Sequence, residues 1–206
     1  DNQSLSYGML EIQALNPFIE IIHHPISKDY YYDLKFAKGI AQRLSKMRWH
    51  SFLPMQKKVA KKIQVIVTPS LNSKVDINCD FKVPLQNIQV IPNGIDTNIF
   101  CPLPAVKALP YRIITTASAD VPLKGLDFTL HAMVKLKSEY LDAELIVIGS
   151  PRPDGHTERM LQDLGLGKQV TFKTNLTKKE IAEEYAKSSV AVVSSLYEGF
   201  GFPVGE

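Results

Sequence analysis

Seven short runs dense in β-branched and other apolar residues punctuate this chain, at residues 18–24, 63–70, 88–92, 111–118, 143–150, 169–174 and 190–195. The segments between them have helical character. Leu126, Leu130, Met133, Val134 and Leu136 recur at helical spacing, and Thr177 with Glu180 makes a capping-box pattern ahead of Ile181. Strand, helix and strand in this order imply parallel sheets with right-handed crossovers, so the predicted fold class is α/β. The proline-rich stretch from Pro102 through Pro104 to Pro110 lies between the two sets of strands and reads as a linker.

Composition narrows the class further. With 45% hydrophobic and 22% charged residues in 206, the chain has the balance of a soluble globular protein with room for one large or two small domains. No uncharged apolar run approaches the roughly 18 residues that a membrane span needs, and Asp1 does not open a signal peptide. Cys79 and Cys101 lack metal-ligand spacing and read as incidental thiols of a reducing, cytoplasmic compartment. The net charge of +3 comes from the first half: residues 1–100 carry 12 Lys/Arg against 8 Asp/Glu, and residues 101–206 carry 12 against 13. Residues 35–62 hold nine cations and no acid, interleaved with Phe36, Ile40, Leu44, Met47 and Trp49. Such a stretch suits peripheral contact with the anionic inner face of a membrane, and equally a solvated face of ordinary helices. No nucleic-acid partner is expected, since no nucleic-acid-binding motif accompanies the charge.

Open parallel sheets bind ligands at the carboxyl ends of their strands. Four strand ends stand out: His23–His24, the loop 119–125 with Lys124, Gly149 with the loop 152–156, and the turn from Glu198 to Glu206. The last is the most informative. An apolar strand feeds a Gly-Phe-Gly turn closed by Pro203, a geometry suited to phosphate because glycine lets backbone amides approach a ligand and helix-start amides favour anions. Lys124 at a helix start can neutralise phosphate as a point charge, or can be an ordinary solvated lysine.

Taken in order, Pro92-Asn-Gly-Ile-Asp96 with Phe100 and Pro102, the Val121-Pro-Leu-Lys-Gly125 loop, the Val147-Ile-Gly149 strand end, Gly165 to Phe172 and Ser195 to Glu206 resemble family 4 glycosyltransferases. The likeness is dense from about residue 90 onward and thinner before it. It implies the GT-B fold, with two Rossmann-like parallel-sheet domains, both incomplete here: residues 1–103 as the end of an acceptor-side domain and residues 104–206 as the start of a donor-binding domain. It also implies transfer of a sugar from a nucleotide-sugar donor, a UDP- or GDP-sugar, with retention of anomeric configuration and with no separate cofactor. The acceptor is unspecified, a lipid or polysaccharide being compatible with the basic stretch.

Carried over by position, the resemblance gives Glu198 and His23 the catalytic places, Glu198 facing the donor-sugar hydroxyls and His23 beside the donor sugar. His24 competes with His23 for that place. Gly199, Phe200 and Gly201 would lie against the diphosphate or sugar, Glu206 would accept from the ribose hydroxyls, and Lys124 would balance the charge of the departing diphosphate. No Asp-x-Asp pair is present, so no metal site is expected. The family arginine five residues before the lysine is Ala119 here, with Arg152 a candidate substitute. No enzyme nucleophile is evident, which favours a front-face substitution. Two incomplete sheets would leave apolar edges, so this chain by itself is expected to be poorly soluble, oligomeric or inactive. A non-catalytic nucleotide-sugar-binding module, or an inactive fragment, is the alternative. A nicotinamide-dependent oxidoreductase is excluded, since no strand is followed by Gly-x-Gly-x-x-Gly at a helix start.

Overall fold

A computed structural model describes residues 5–206 and divides the chain into two compact units. The first contains the described residues up to Gly94 together with Tyr197–Phe200; the second contains Ile95–Leu196 and Gly201–Glu206. The proline-rich stretch lies in the second unit.

The first unit runs α1 (Gly8–Leu15), β1 (Glu20–Ile21), α2 (Ser27–Lys35), α3 (Gly39–Trp49), α4 (Leu53–Ala60), β2 (Ile66–Thr68), α5 (Leu71–Phe81) and β3 (Ile88–Val90). Its three strands pair in the order β1-β2-β3, all parallel, with Ile66 opposite both Glu20 and Ile88. Ile22, Val59, Ile63, Ile66, Ile77 and Phe81 are buried in one cluster that joins α4 and α5 to the sheet. Burying each of these larger side chains contributes about 1.5–3 kcal/mol. Local chemistry sets the helix ends. Ser70 caps α5 by accepting from the Ser73 N–H, and Lys82 ends it in a left-handed conformation at φ 58°. Asp33 on α2 accepts from Lys46 Nζ at 2.8 Å and lies 3.0 Å from His50 Nε2, which fastens α3 and its exit to α2.

Glu20 breaks the apolar pattern of β1. Its side chain is buried, and Oε1 has no hydrogen-bond partner among the described residues. Burial penalises the charged form and raises its pKa from 4.5 to about 7.

The second unit runs β4 (Leu109–Thr116), α6 (Leu126–Glu139), β5 (Glu144–Ile148), α7 (His156–Asp163), β6 (Val170–Lys173), α8 (Lys178–Ala186), β7 (Ser188–Ala191) and a short α9 (Phe202–Gly205). The expected capping box forms at α8, with the Thr177 side chain accepting from Glu180 N and the Glu180 carboxylate accepting from Thr177 N. Along α6, Leu126, Leu130 and Met133 are buried whereas Val134 is exposed, so the apolar stripe is narrower than the sequence spacing suggests. The four strands are parallel in the order β6-β5-β4-β7. In chain order that is third, second, first, fourth: the sheet grows in one direction from β4, and the chain then returns to the other side of β4 to place β7. The carboxyl ends of β4 and β7 flank this reversal, where open parallel sheets form their ligand crevice.

A buried carboxylate ties α8 to β4 and β6. Glu184 on α8 takes Arg112 Nη2 at 2.7 Å and Lys173 Nζ at 2.7 Å, with Lys187 Nζ at 3.3 Å. Burial alone would raise the Glu184 pKa, but these cations outweigh it and hold the carboxylate below its ordinary range.

Candidate functional site

The loop leaving β4 and the segment leaving β7 are sewn together within the second unit. Leu196 N donates to Leu123 O at 2.8 Å, Ser194 Oγ donates to Lys124 O at 3.2 Å, and Thr129 Oγ1 donates to Ser194 Oγ at 2.9 Å. Gly125 makes this approach sterically accessible. It adopts φ +67°, and a Cβ there would lie 2.0 Å from Ser194 O. Pro122–Lys124 forms a 3-10 turn immediately before α6, so Lys124 stands at the start of a 14-residue helix and is half-buried. The sheet reversal therefore brings the lysine turn against the chain that leads to Glu198.

Asp120, which carried no signal in the sequence, organises the neighbouring strand end. Its carboxylate accepts the N–H of Arg152 at 2.8 Å and of Thr157 at 2.8 Å, and its own N–H donates to Thr157 Oγ1 at 3.2 Å. Burial would raise its pKa, but the backbone donors more than offset this and hold the acid below its ordinary value. Asp120 thus fastens the loop after β5 and the first turn of α7 to the loop after β4. Arg152 is exposed, with its N–H spent on this link, and Ala119 is buried in the core cluster of the unit. The position of the family arginine is core here.

Gly201, at φ +84°, opens α9, and Glu206 closes it. Ile95 Cδ1 lies 2.1 Å from where a Gly205 Cβ would stand, so α9 rests directly on the Pro92–Asp96 motif's last residues. Glu206 borders a pocket of about 450 Å³ with Phe100, Pro102, Pro104 and Tyr185. Burial raises its pKa, and the charge of Lys178 offsets part of that rise. The Tyr185 hydroxyl is hydrogen-bonded at 2.7 Å to Thr116 Oγ1, the last residue of β4.

His23, Glu198, Gly199 and Phe200 belong to the first unit. Gly199 lies against His23: a Cβ on Gly199 would stand 2.7 Å from His23 O and 3.2 Å from His24 Cβ. The two histidines differ in how they are engaged. His24 Nε2 lies 2.8 Å from Asp29 Oδ2, and its ring centroid is 5.6 Å from that of Tyr197. His23 is half-buried, and no hydrogen bond or ion pair engages its ring among the described residues. Tyr197, Asp76, Ser70 and Ser73 surround the Glu198–Gly199 backbone, a set whose sequence separations gave no local signal.

Two parallel-sheet units, the second with the strand order of a nucleotide-binding sheet and a lysine turn tied to the exit of β7 at its reversal, define a GT-B type α/β architecture. Comparison with known proteins agrees. Residues 105–206 match the family described as glycosyl transferases group 1, and the chain belongs to that family. It is 39% identical over 207 residues to the MMP alpha-(1->4)-mannosyltransferase of Mycolicibacterium hassiacum, an alignment covering 100% of this chain and 49% of that protein. It is 26% identical over 129 residues to a GDP-mannose-dependent alpha-(1-6)-phosphatidylinositol monomannoside mannosyltransferase of Mycolicibacterium smegmatis, covering 59% of this chain and 34% of that one. The chain thus spans about half the length of the first curated relative and a third of the second. Among solved structures, a sucrose-phosphate synthase from Thermosynechococcus elongatus superposes with a TM-score of 0.67 at 22% identity, over 95% of this chain and 49% of the other, which shows the fold. No helix among the described residues is long and apolar enough to cross a membrane.

Proposed function

We propose that this chain supplies donor-site elements of a retaining glycosyltransferase that moves a sugar from a UDP- or GDP-sugar to a hydroxyl acceptor. The observation that carries this reading is the lysine turn held against the exit of β7 at the sheet reversal. A cation there can stabilise charge that builds on a nucleoside diphosphate as it departs, which is electrostatic stabilisation of a transition state and requires no proton transfer by the lysine.

In this reading Lys124 faces the diphosphate, Glu198 accepts from the donor-sugar hydroxyls, the Gly199–Gly201 amides lie along the sugar, and Glu206 accepts from the ribose diol. His23, whose ring is not engaged as His24's is, stands beside the donor sugar. Arg152, whose backbone N–H is tethered to the lysine loop through Asp120, is the candidate cation to share the work that an arginine at position 119 would do. The chemistry is a front-face substitution. The bond from the anomeric carbon to the diphosphate oxygen breaks, the acceptor hydroxyl adds from the same face, and its proton passes to the departing phosphate oxygen. The acceptor is a lipid or polysaccharide hydroxyl, with α3 offering exposed Ile40, Leu44 and Trp49 among Lys38, Arg43 and Arg48 to an anionic membrane surface.

Names of the curated relatives support sugar transfer, one of them from GDP-mannose. A panel of nucleotide sugars assayed on the full-length protein by nucleoside diphosphate release tests the reading. Transfer from one donor is expected, and Glu198→Ala is expected to abolish turnover while nucleotide affinity is retained. The core alanine at 119 favours a second reading, a nucleotide-sugar-binding module without catalysis. Nucleotide binding without turnover by the unaltered protein would decide for it.

A further inference from the structure

Glu198 lies in a stretch without helix or strand, yet its backbone is fixed on both sides. The carbonyl oxygen of Gly199 accepts two hydroxyl hydrogen bonds, from Ser70 Oγ at 2.6 Å and from Ser73 Oγ at 3.0 Å. The Ser73 side chain is fully buried. Ser70 Oγ also accepts from Ser73 N at 3.0 Å, so one hydroxyl caps α5 and holds Gly199 together. The carbonyl's negative end meets the positive end of the α5 dipole, which favours the same orientation. On the other side, the Tyr197 hydroxyl donates to Asp76 Oδ2 at 2.8 Å, and Asp76 Oδ1 is held by Lys28 Nζ at 3.0 Å. Tyr197 is further bracketed by the His24 ring and by Lys28, 5.8 Å from its centroid.

The consequence follows from peptide geometry. In a trans peptide the C=O and the next N–H point to opposite sides. Fixing the Gly199 carbonyl onto α5 therefore aims the Phe200 N–H away from α5, and fixing Tyr197 limits how the Glu198 carboxylate can swing. We infer that Ser70, Ser73, Asp76 and Tyr197 are positioning residues that set the Glu198 carboxylate and the Phe200 amide for donor transfer, with the two serines acting redundantly on one carbonyl. This rests on the reading that Glu198 and the following amides face the donor sugar.

The test compares Ser73→Ala, the double variant Ser70→Ala/Ser73→Ala, Tyr197→Phe and Ser70→Thr in the full-length protein. Ser73→Ala leaves one hydroxyl on the carbonyl, and kcat is expected to fall less than about threefold; the double variant leaves none, and a displacement approaching 1 Å is expected to lower kcat by roughly 10²-fold. Tyr197→Phe removes one hydroxyl and little packing, so it serves if the double variant does not fold; about a tenfold loss of kcat is expected. Ser70→Thr keeps the hydroxyl and is expected to retain wild-type kcat. Nucleoside diphosphate affinity, assigned to Lys124 and Glu206, is expected to stay unchanged throughout, a split that loss of general stability would not produce. A folded double variant or a Tyr197→Phe variant with wild-type kcat overturns the inference, as does a parallel fall of kcat and nucleotide affinity. If the unaltered protein transfers no sugar from any donor, the proposed function falls first and takes this inference with it.

Discussion

Asp120 adopts a left-handed backbone conformation at φ 61°, which a short polar side chain tolerates when it bonds locally. The return is a carboxylate delivered to two backbone donors, Arg152 N and Thr157 N, 32 and 37 residues further along the chain. Because those donors favour the charged form, the folded pKa lies below the unfolded one. The stability that Asp120 contributes is then complete above the ordinary carboxylate range and is lost as pH falls through its depressed folded value. Asp120→Asn is expected to lower Tm at neutral pH, and the gap to wild type is expected to close as pH falls from about 5 to about 2. Parallel Tm curves across that range would contradict this assignment. Nothing in the sequence marks Asp120, since the bonds that define it run to a separate strand end, whereas Lys124 and Glu198 stand inside motifs with local spacing.

At the scale of elements, local signals were readable and distant ones were not. The Thr177–Glu180 capping box forms because both partners sit in one helical turn. All seven apolar runs overlap a strand, yet the run at 190–195 shares only Val190 and Ala191 with β7, and the run at 18–24 contributes only Glu20–Ile21, because β1 pairs with β2 through just those residues before the chain turns away toward His23 and Pro25. The site divides the same way. The lysine and glycine turns were legible, while Ser70, Ser73, Asp76 and Tyr197 meet across 121–129 residues and leave no periodic trace. Glu20 shows how a single acid inside a β-rich run changes the behaviour of its element. Its pKa rises from 4.5 to about 7 on burial, so the folded state holds a proton that the unfolded state has released. Stability is therefore full below pH 4.5 and declines as pH climbs toward 7, the opposite sign to Asp120. Glu20→Gln, which carries no titrating proton, is expected to gain in Tm relative to wild type over that interval. A Tm difference that is constant with pH would refute the buried-acid account of β1.

At the scale of the whole molecule, apolar side chains remain on the surface of both units: Leu15 and Leu141 are each 82% exposed, Ile40 79% and Trp49 71%. β7 is an edge strand with Val190 more than half exposed, and an uncovered parallel edge offers unpaired backbone to another chain. The 206-residue chain by itself is expected to self-associate reversibly over the micromolar range, so that its sedimentation coefficient rises with concentration. A concentration-independent monomer would show that these surfaces are tolerated in water. The packing of Gly125 under Ser194 O bears on heredity as well as on shape. A methyl group at 125 would collide with a backbone atom that no rotamer change can move, so the two loops cannot drift apart independently. Recombinants that exchange residues 119–125 between relatives without the segment around 194 inherit that collision whenever the glycine is lost, whereas a crossover placed before both loops carries them as one heritable block.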